Sequence, residues 1–119
     1  MEAREFENVV LEQLDKCQKM LGVKATEYAS PRDMLHNFVV AAQVQGCSPR
    51  DALGGFMAKH TVSIYDLIRE AAVDHPMETW DEKITDHINY LLLLRAIIVE
   101  EKKNAGERRA PLVDAPLAV

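Results

Sequence analysis

From Trp80 to Lys103 the chain carries a helix-forming run that becomes apolar on nearly every side after Ile88: Leu91 to Leu94, then Arg95, then Ala96-Ile97-Ile98-Val99. A helix of that kind has to be enclosed, by the other helices of its own bundle or by a second subunit. Ahead of the apolar half stands a polar cluster, Trp80-Asp81-Glu82-Lys83-Ile84-Thr85-Asp86-His87-Ile88-Asn89-Tyr90. At about 100° per residue, Glu82, Asp86 and Asn89 share one stripe, which continues as Leu93 and Ile97. A stripe ending in large apolar side chains does not face bulk water along its whole length. The carboxylates and the amide are therefore expected to point into a pocket or an interface, where burial without a partner is costly.

Helical signals dominate the rest of the chain, and no alternating strand pattern is found. The chain reads as all-α: a bundle of four main helices with a loose C-terminal tail. The first helix is expected from Glu2 to Leu21, with Phe6, Val9, Val10, Leu14, Cys17 and Leu21 on its core face and Gly22 as its stop. Lys24 to Ala29 then reads as a loop. Ser30-Pro31-Arg32-Asp33 and Ser48-Pro49-Arg50-Asp51 each combine a capping Ser, a Pro suited to the first helical position and an Asp at the positive end of the helix dipole. They predict helices over Pro31 to Gln45, stopping at Gly46, and over Pro49 to Val73. The first should bury Leu35, Phe38, Val39 and Ala42, the second Leu53, Met57, Ile64, Ile68 and Ala71. Gly54-Gly55 weakens the early turns of the latter or lets another backbone approach closely. The fourth helix starts near Thr79 or Trp80. Residues 1–103 make one helical domain, and 104–119, with Gly106, Pro111 and Pro116, a flexible or docking tail.

A chain of 119 residues is one domain with a single core. Net charge is −5 and no Lys/Arg block is longer than a pair, which disfavours a broad nucleic-acid surface. Cys17 and Cys47 lack metal-ligand spacing and suggest reduced thiols. The acidic start, Met1-Glu2-Ala3-Arg4-Glu5, has no apolar region behind it and is not expected to be a signal peptide. The longest apolar run is broken by Arg95 and too short to span a bilayer. A cytoplasmic location is expected.

Several residues are candidates for chemistry. Glu82, Asp86 and Asn89 offer the oxygens that a hard cation such as Mg²⁺ prefers. Equally, Glu82 sits in an exposed first turn, while Asp86 pairs with a cation and Asn89 bonds a neighbouring helix. Lys59, Ser63, Asp66 and Glu70 share a stripe that a solvated face with a local ion pair explains. If that stripe faces the Asp86 stripe, Lys59 can neutralise phosphate or Asp86, and Asp66 can add an oxygen. His60 stands in the same short stretch. No two of the four histidines are four apart on one helix, so a zinc site is not expected. Cys47, beside a helix N-terminus, is a weak candidate nucleophile. Glu27 and Tyr28 can supply a carboxylate and a stacking ring to a pocket rim, or Tyr28 can simply cover the core edge.

Glu27-Tyr28-Ala29, His36-Asn37-Phe38, Lys59-His60 with Ser63-Ile64, and Asp86-x-x-Asn89-Tyr90-Leu91-Leu92 occur in an order that resembles small helical proteins of tailed phages and prophages. These are similar to the MazG-like, all-α NTP pyrophosphohydrolase group. The resemblance covers roughly residues 23–101. It implies a nucleotide or nucleotide-derived ligand, Mg²⁺ as cofactor, and attack of water on a nucleoside triphosphate that releases pyrophosphate. Asp86 and Asn89 take the place of the second of the group's two acidic pairs, with Asn standing for a carboxylate. Where the first pair is expected, Lys59, Ser63 and Asp66 stand instead. The resemblance thus makes Asp86, Asn89 and Glu82 the metal or polar ligands. Lys59 becomes the phosphate partner, with Ser63, Asp66 and His60 beside it, and Glu27 and Tyr28 form the rim. The competing expectation is a non-catalytic helical interaction protein, a homodimer or higher homo-oligomer, in which the same cluster is a buried specificity network.

Overall fold

The computed structural model describes residues 1–28 and 33–118, with side chains described for 1–23 and 33–107. The chain is all-α. Four helices follow in order, α1 Ala3–Tyr28, α2 His36–Gln45, α3 Pro49–Arg69 and α4 Met77–Ala118, and no strand occurs among the described residues.

The punctuation between α2 and α3 follows the sequence signals closely. Gly46 adopts φ 67°, ψ 37°, the left-handed conformation that a residue without a Cβ takes at low cost. Its N–H donates to the Gln43 carbonyl, and the Cys47 N–H donates to Ala42 at 2.9 Å, so two carbonyls at the end of α2 are satisfied. Ser48 then caps α3: its Oγ accepts from the Asp51 N–H at 3.1 Å and donates to the Asp51 carboxylate at 2.9 Å. Pro49 opens the helix.

Elsewhere the element boundaries differ from expectation. Gly22 does not stop α1, because it keeps a negative φ and a glycine ends a helix only where it turns left-handed. The segment expected as a loop from Lys24 is therefore helical as far as Tyr28. The predicted start of α2 at Ser30-Pro31 falls on residues 29–32, outside the described ones. Asp33 instead forms a turn, its Oδ1 accepting from the Leu35 N–H at 2.9 Å, and α2 begins at His36. Helix α3 ends at Arg69, four residues short of Val73. The residues expected as a tail continue α4 in backbone to Ala118.

The core sits where α3 and α4 run antiparallel. Arg50 bonds Glu101 at 2.6 Å, Leu53 and Ile97 share one buried cluster, and the rings of His60 and Tyr90 lie 4.7 Å apart. As the α3 number rises along these pairs, the α4 number falls by nearly the same amount, which fixes the register. The Glu101 carboxylate raises the Arg50 guanidinium further above its usual range, through the hydrogen bond first and its charge second. Leu35, from the turn before α2, completes the cluster, with Phe38, Leu93 and Leu94 packed around it. Helix α2 also meets α3 through Phe38 and Phe56, edge to face at 6.0 Å. The buried line on α3 is Ala52, Leu53 and Leu67, so the expected Ile68 and Ala71 lie outside it, both exposed. Gly54 and Gly55 have open space beyond them and no backbone close by.

The first helix packs mainly on α4 and extends beyond that contact. Of its expected core face only Cys17 is buried, at 1%, while Phe6, Val9, Val10 and Leu14 are exposed. The radius of gyration is 19.1 Å, whereas a compact domain of this length has about 13 to 14 Å. The chain exposes 9186 Å², against about 6,500 Å² for a compact monomer of this mass.

Leu53 is fully buried, and Leu53→Ala should cost about 2–5 kcal/mol in denaturant unfolding. Ser48→Ala, which removes the α3 cap, should cost about 1 kcal/mol.

Candidate functional site

The polar cluster of α4 divides between two neighbours. Thr85 and Asn89, one turn apart, are both 4% exposed and face α1. Gln13 Nε2 donates to Thr85 Oγ1 at 2.9 Å and lies 3.4 Å from Cys17 Sγ. Asn89 Nδ2 donates to the Cys17 carbonyl at 3.2 Å. Lys16 closes the contact at its edge with Asp81, 3.3 Å away. Two positions spaced by four on α1, the Gln13 side chain and the Cys17 carbonyl, thus meet two side chains spaced by four on α4. Asn89 was singled out from sequence as a ligand oxygen. The structure instead places its amide against α1, with Oδ1 enclosed and meeting no hydrogen-bond partner among the described residues.

The other neighbour is α3. Tyr90 and His60 meet ring to ring across the α3–α4 seam, tilted by 40°. Asp86 lies one turn before Tyr90 and one residue after Thr85, on the border between the two faces, and is half-buried. By the register of the seam, the level of Asp86 on α3 is that of Ser63 and Ile64, both half-buried. His87 is also half-buried, and its Nδ1 finds no hydrogen-bond partner among the described residues.

Lys59 and Asp66 are exposed on α3. At this level the α3 side chain that meets α4 is His60, one residue on from Lys59 and so about 100° round the helix. Of the stripe that carries Lys59, Ser63 and Asp66, only Ser63 is half-buried, and Lys59 and Asp66 lie on its solvent side. Glu82 is exposed as well. Glu27 and Tyr28 are the last residues of α1 in backbone, not loop residues, and their side chains fall outside the described ones.

Of the α4 oxygens, Asn89 donates its Nδ2 to α1 while its Oδ1 stays without a partner, Glu82 is exposed, and among the described residues no three His, Cys, Asp or Glu side chains come together to hold a metal ion. Cys47 is a free, half-buried thiol whose Sγ lies 3.8 Å from the Gln45 side-chain oxygen, a group that does not act as a base. Sequence reasoning missed Gln13 and Thr85. The available signal was a pair of polar positions at matching one-turn spacing on two amphipathic helices.

A separate groove of ≈ 610 Å³ lies between the turn before α2 and the second half of α4. Leu35, Leu92, Ala96 and Val99 line it together with Arg95 and Glu100, and it contains none of the residues expected to form a site. No helix among the described residues is long and apolar enough to cross a membrane. No family model, curated protein or solved structure matches the chain.

The α1–α4 contact makes a pH-dependent test. Asn89→Ala should lower stability by about 1–3 kcal/mol, the loss of a buried hydrogen bond. Asn89→Asp should cost more at neutral pH, because a carboxylate would oppose the Cys17 carbonyl. Burial raises the folded-state pKa of such an acid, so its extra penalty should be present above that pKa and vanish at acidic pH, where the protonated acid can donate. Thermal melts of both variants in neutral and acidic buffer check this.

Proposed function

We propose that the α3–α4 seam binds a nucleotide or nucleotide-derived ligand, with His60 and Tyr90 presenting ring surface to a base and Asp86 and Ser63 supplying polar contacts. The observation that carries this reading is the His60–Tyr90 ring pair across the seam, with half-buried Asp86 one turn before Tyr90 on α4 and half-buried Ser63 about one turn after His60 on α3, chemistry suited to a flat polar ligand. Lys59, on the solvent side of the same stretch of α3, is the cation available to phosphate. The MazG-like resemblance supports the same ligand class. The reaction that the resemblance implies for such a ligand is Mg²⁺-dependent attack of water on a nucleoside triphosphate, releasing pyrophosphate.

A second reading is favoured by the α1–α4 contact. There Gln13 donates to Thr85 and the Asn89 amide nitrogen donates to the Cys17 carbonyl, as in a buried specificity network of a helical interaction protein. The exposed apolar side chains fit a homo-oligomeric form of that protein.

Thermal melting with nucleoside triphosphates, diphosphates and monophosphates, each with and without Mg²⁺, separates the readings. A ligand that binds only the native state raises its stability by about 2.7 kcal/mol at a hundredfold excess over the dissociation constant. The expected result is such a rise for at least one nucleotide, lost in Asp86→Ala and His60→Ala at unchanged helix content. Melting temperatures indifferent to every nucleotide would leave the interaction reading alone.

A further inference from the structure

We propose that Lys83 holds the phosphates of the ligand. A nucleotide then runs along the α3–α4 seam with its base at the His60–Tyr90 ring pair and its outer phosphates toward the connection between the two helices. This rests on the nucleotide reading and adds to it an anion subsite and a direction.

The seam repeats by heptads. Leu53 shares a buried cluster with Ile97, and a heptad further along α3 His60 meets Tyr90, which lies a heptad earlier on α4. The next step of the same repeat sets Leu67 on α3 level with Lys83 on α4. Burial agrees with that step: Leu67 is 9% exposed, Lys83 is half-buried, and Glu82, one residue off the stripe, is exposed. The residue that α4 brings level with the last buried leucine of α3 is therefore a lysine. An ammonium held on such a stripe is costly unless an anion accompanies it. Lys16 has Asp81, Lys19 has Asp15 and Arg50 has Glu101, whereas Lys83 enters no ion pair among the described residues.

Lys83 lies two turns before Tyr90, about 10 Å along the helix axis. A nucleotide covers such a span from its base to its outer phosphates, with its sugar at the level of Asp86 and Ser63. A carboxylate and a hydroxyl suit sugar hydroxyls, and an ammonium suits phosphate as a point charge. Lys59, exposed and at the level of the ring pair, stands at the opposite end of such a ligand.

Thermal melting of the full chain with the four common ribonucleosides and their mono- and triphosphates tests this. For at least one base, the triphosphate should stabilise the wild type beyond its parent nucleoside. Lys83→Met should remove that increment, raising the dissociation constant of the triphosphate roughly tenfold or more, while the response to the nucleoside stays. Lys83→Arg keeps the charge and should keep the increment. Without ligand, Lys83→Met should melt at or above the wild-type temperature, because a thioether replaces an ammonium beside Leu67. Circular dichroism checks helix content, and Lys83→Gln takes the place of Lys83→Met if the latter fails to fold. An increment unchanged in the Lys83 variants, as expected of a lysine that merely covers Leu67, overturns the inference and leaves the nucleotide reading standing. So does an increment removed by Lys59→Met instead, or a triphosphate no better than its nucleoside. Melting temperatures indifferent to every compound remove the reading and the inference together.

Discussion

The antiparallel seam between α3 and α4 is the constraint on which the rest of the molecule depends. Its three rungs, Arg50 with Glu101, Leu53 with Ile97 and His60 with Tyr90, set which residues of α4 can look at α3. Once those are assigned, helix periodicity turns Thr85 and Asn89 toward the remaining direction, where α1 is received. The short α2 is held to α3 by a tight glycine turn and the Phe38–Phe56 contact. Helix α4 thus serves as the common spine, taking α3 on one face and α1 on the other.

Burial is uneven across that plan. Leu53 and Cys17 are the most completely enclosed large side chains, one at each of the two contacts α4 makes. Between them lies Asp86, on the border of both. A polar residue at such a border keeps some access to water, which lowers the cost of its charge, while the flanking contacts hold its backbone still.

The fold class was legible because helix signals are local. Gly46 and Ser48-Pro49 are read from two or three neighbours, and they appear where expected. Gly22 was misread because its φ is decided by whether the chain needs to turn, and α1 simply continues. The core face of α1 was misread for a different reason. Periodicity shows which residues share a stripe, but not how far a partner helix extends along it, so Phe6 and Cys17 look alike in sequence and differ widely in exposure. Among the candidate residues, His60 meets Tyr90 across the seam, Asn89, on the neighbouring side of α4, turns to α1, and Lys59 is exposed, one residue round from His60. A difference of one residue is about 100° of helix, more than the uncertainty a stripe argument tolerates without a register.

Cys17 gives the α1–α4 joint a built-in reporter. Its sulfur is shielded only while α1 lies on α4, because Gln13, Thr85 and Asn89 surround that part of the helix. A thiol reagent reaches it through local detachment of α1 from α4. Its rate of modification, set beside that of the more accessible Cys47, times the opening of the joint without any added label.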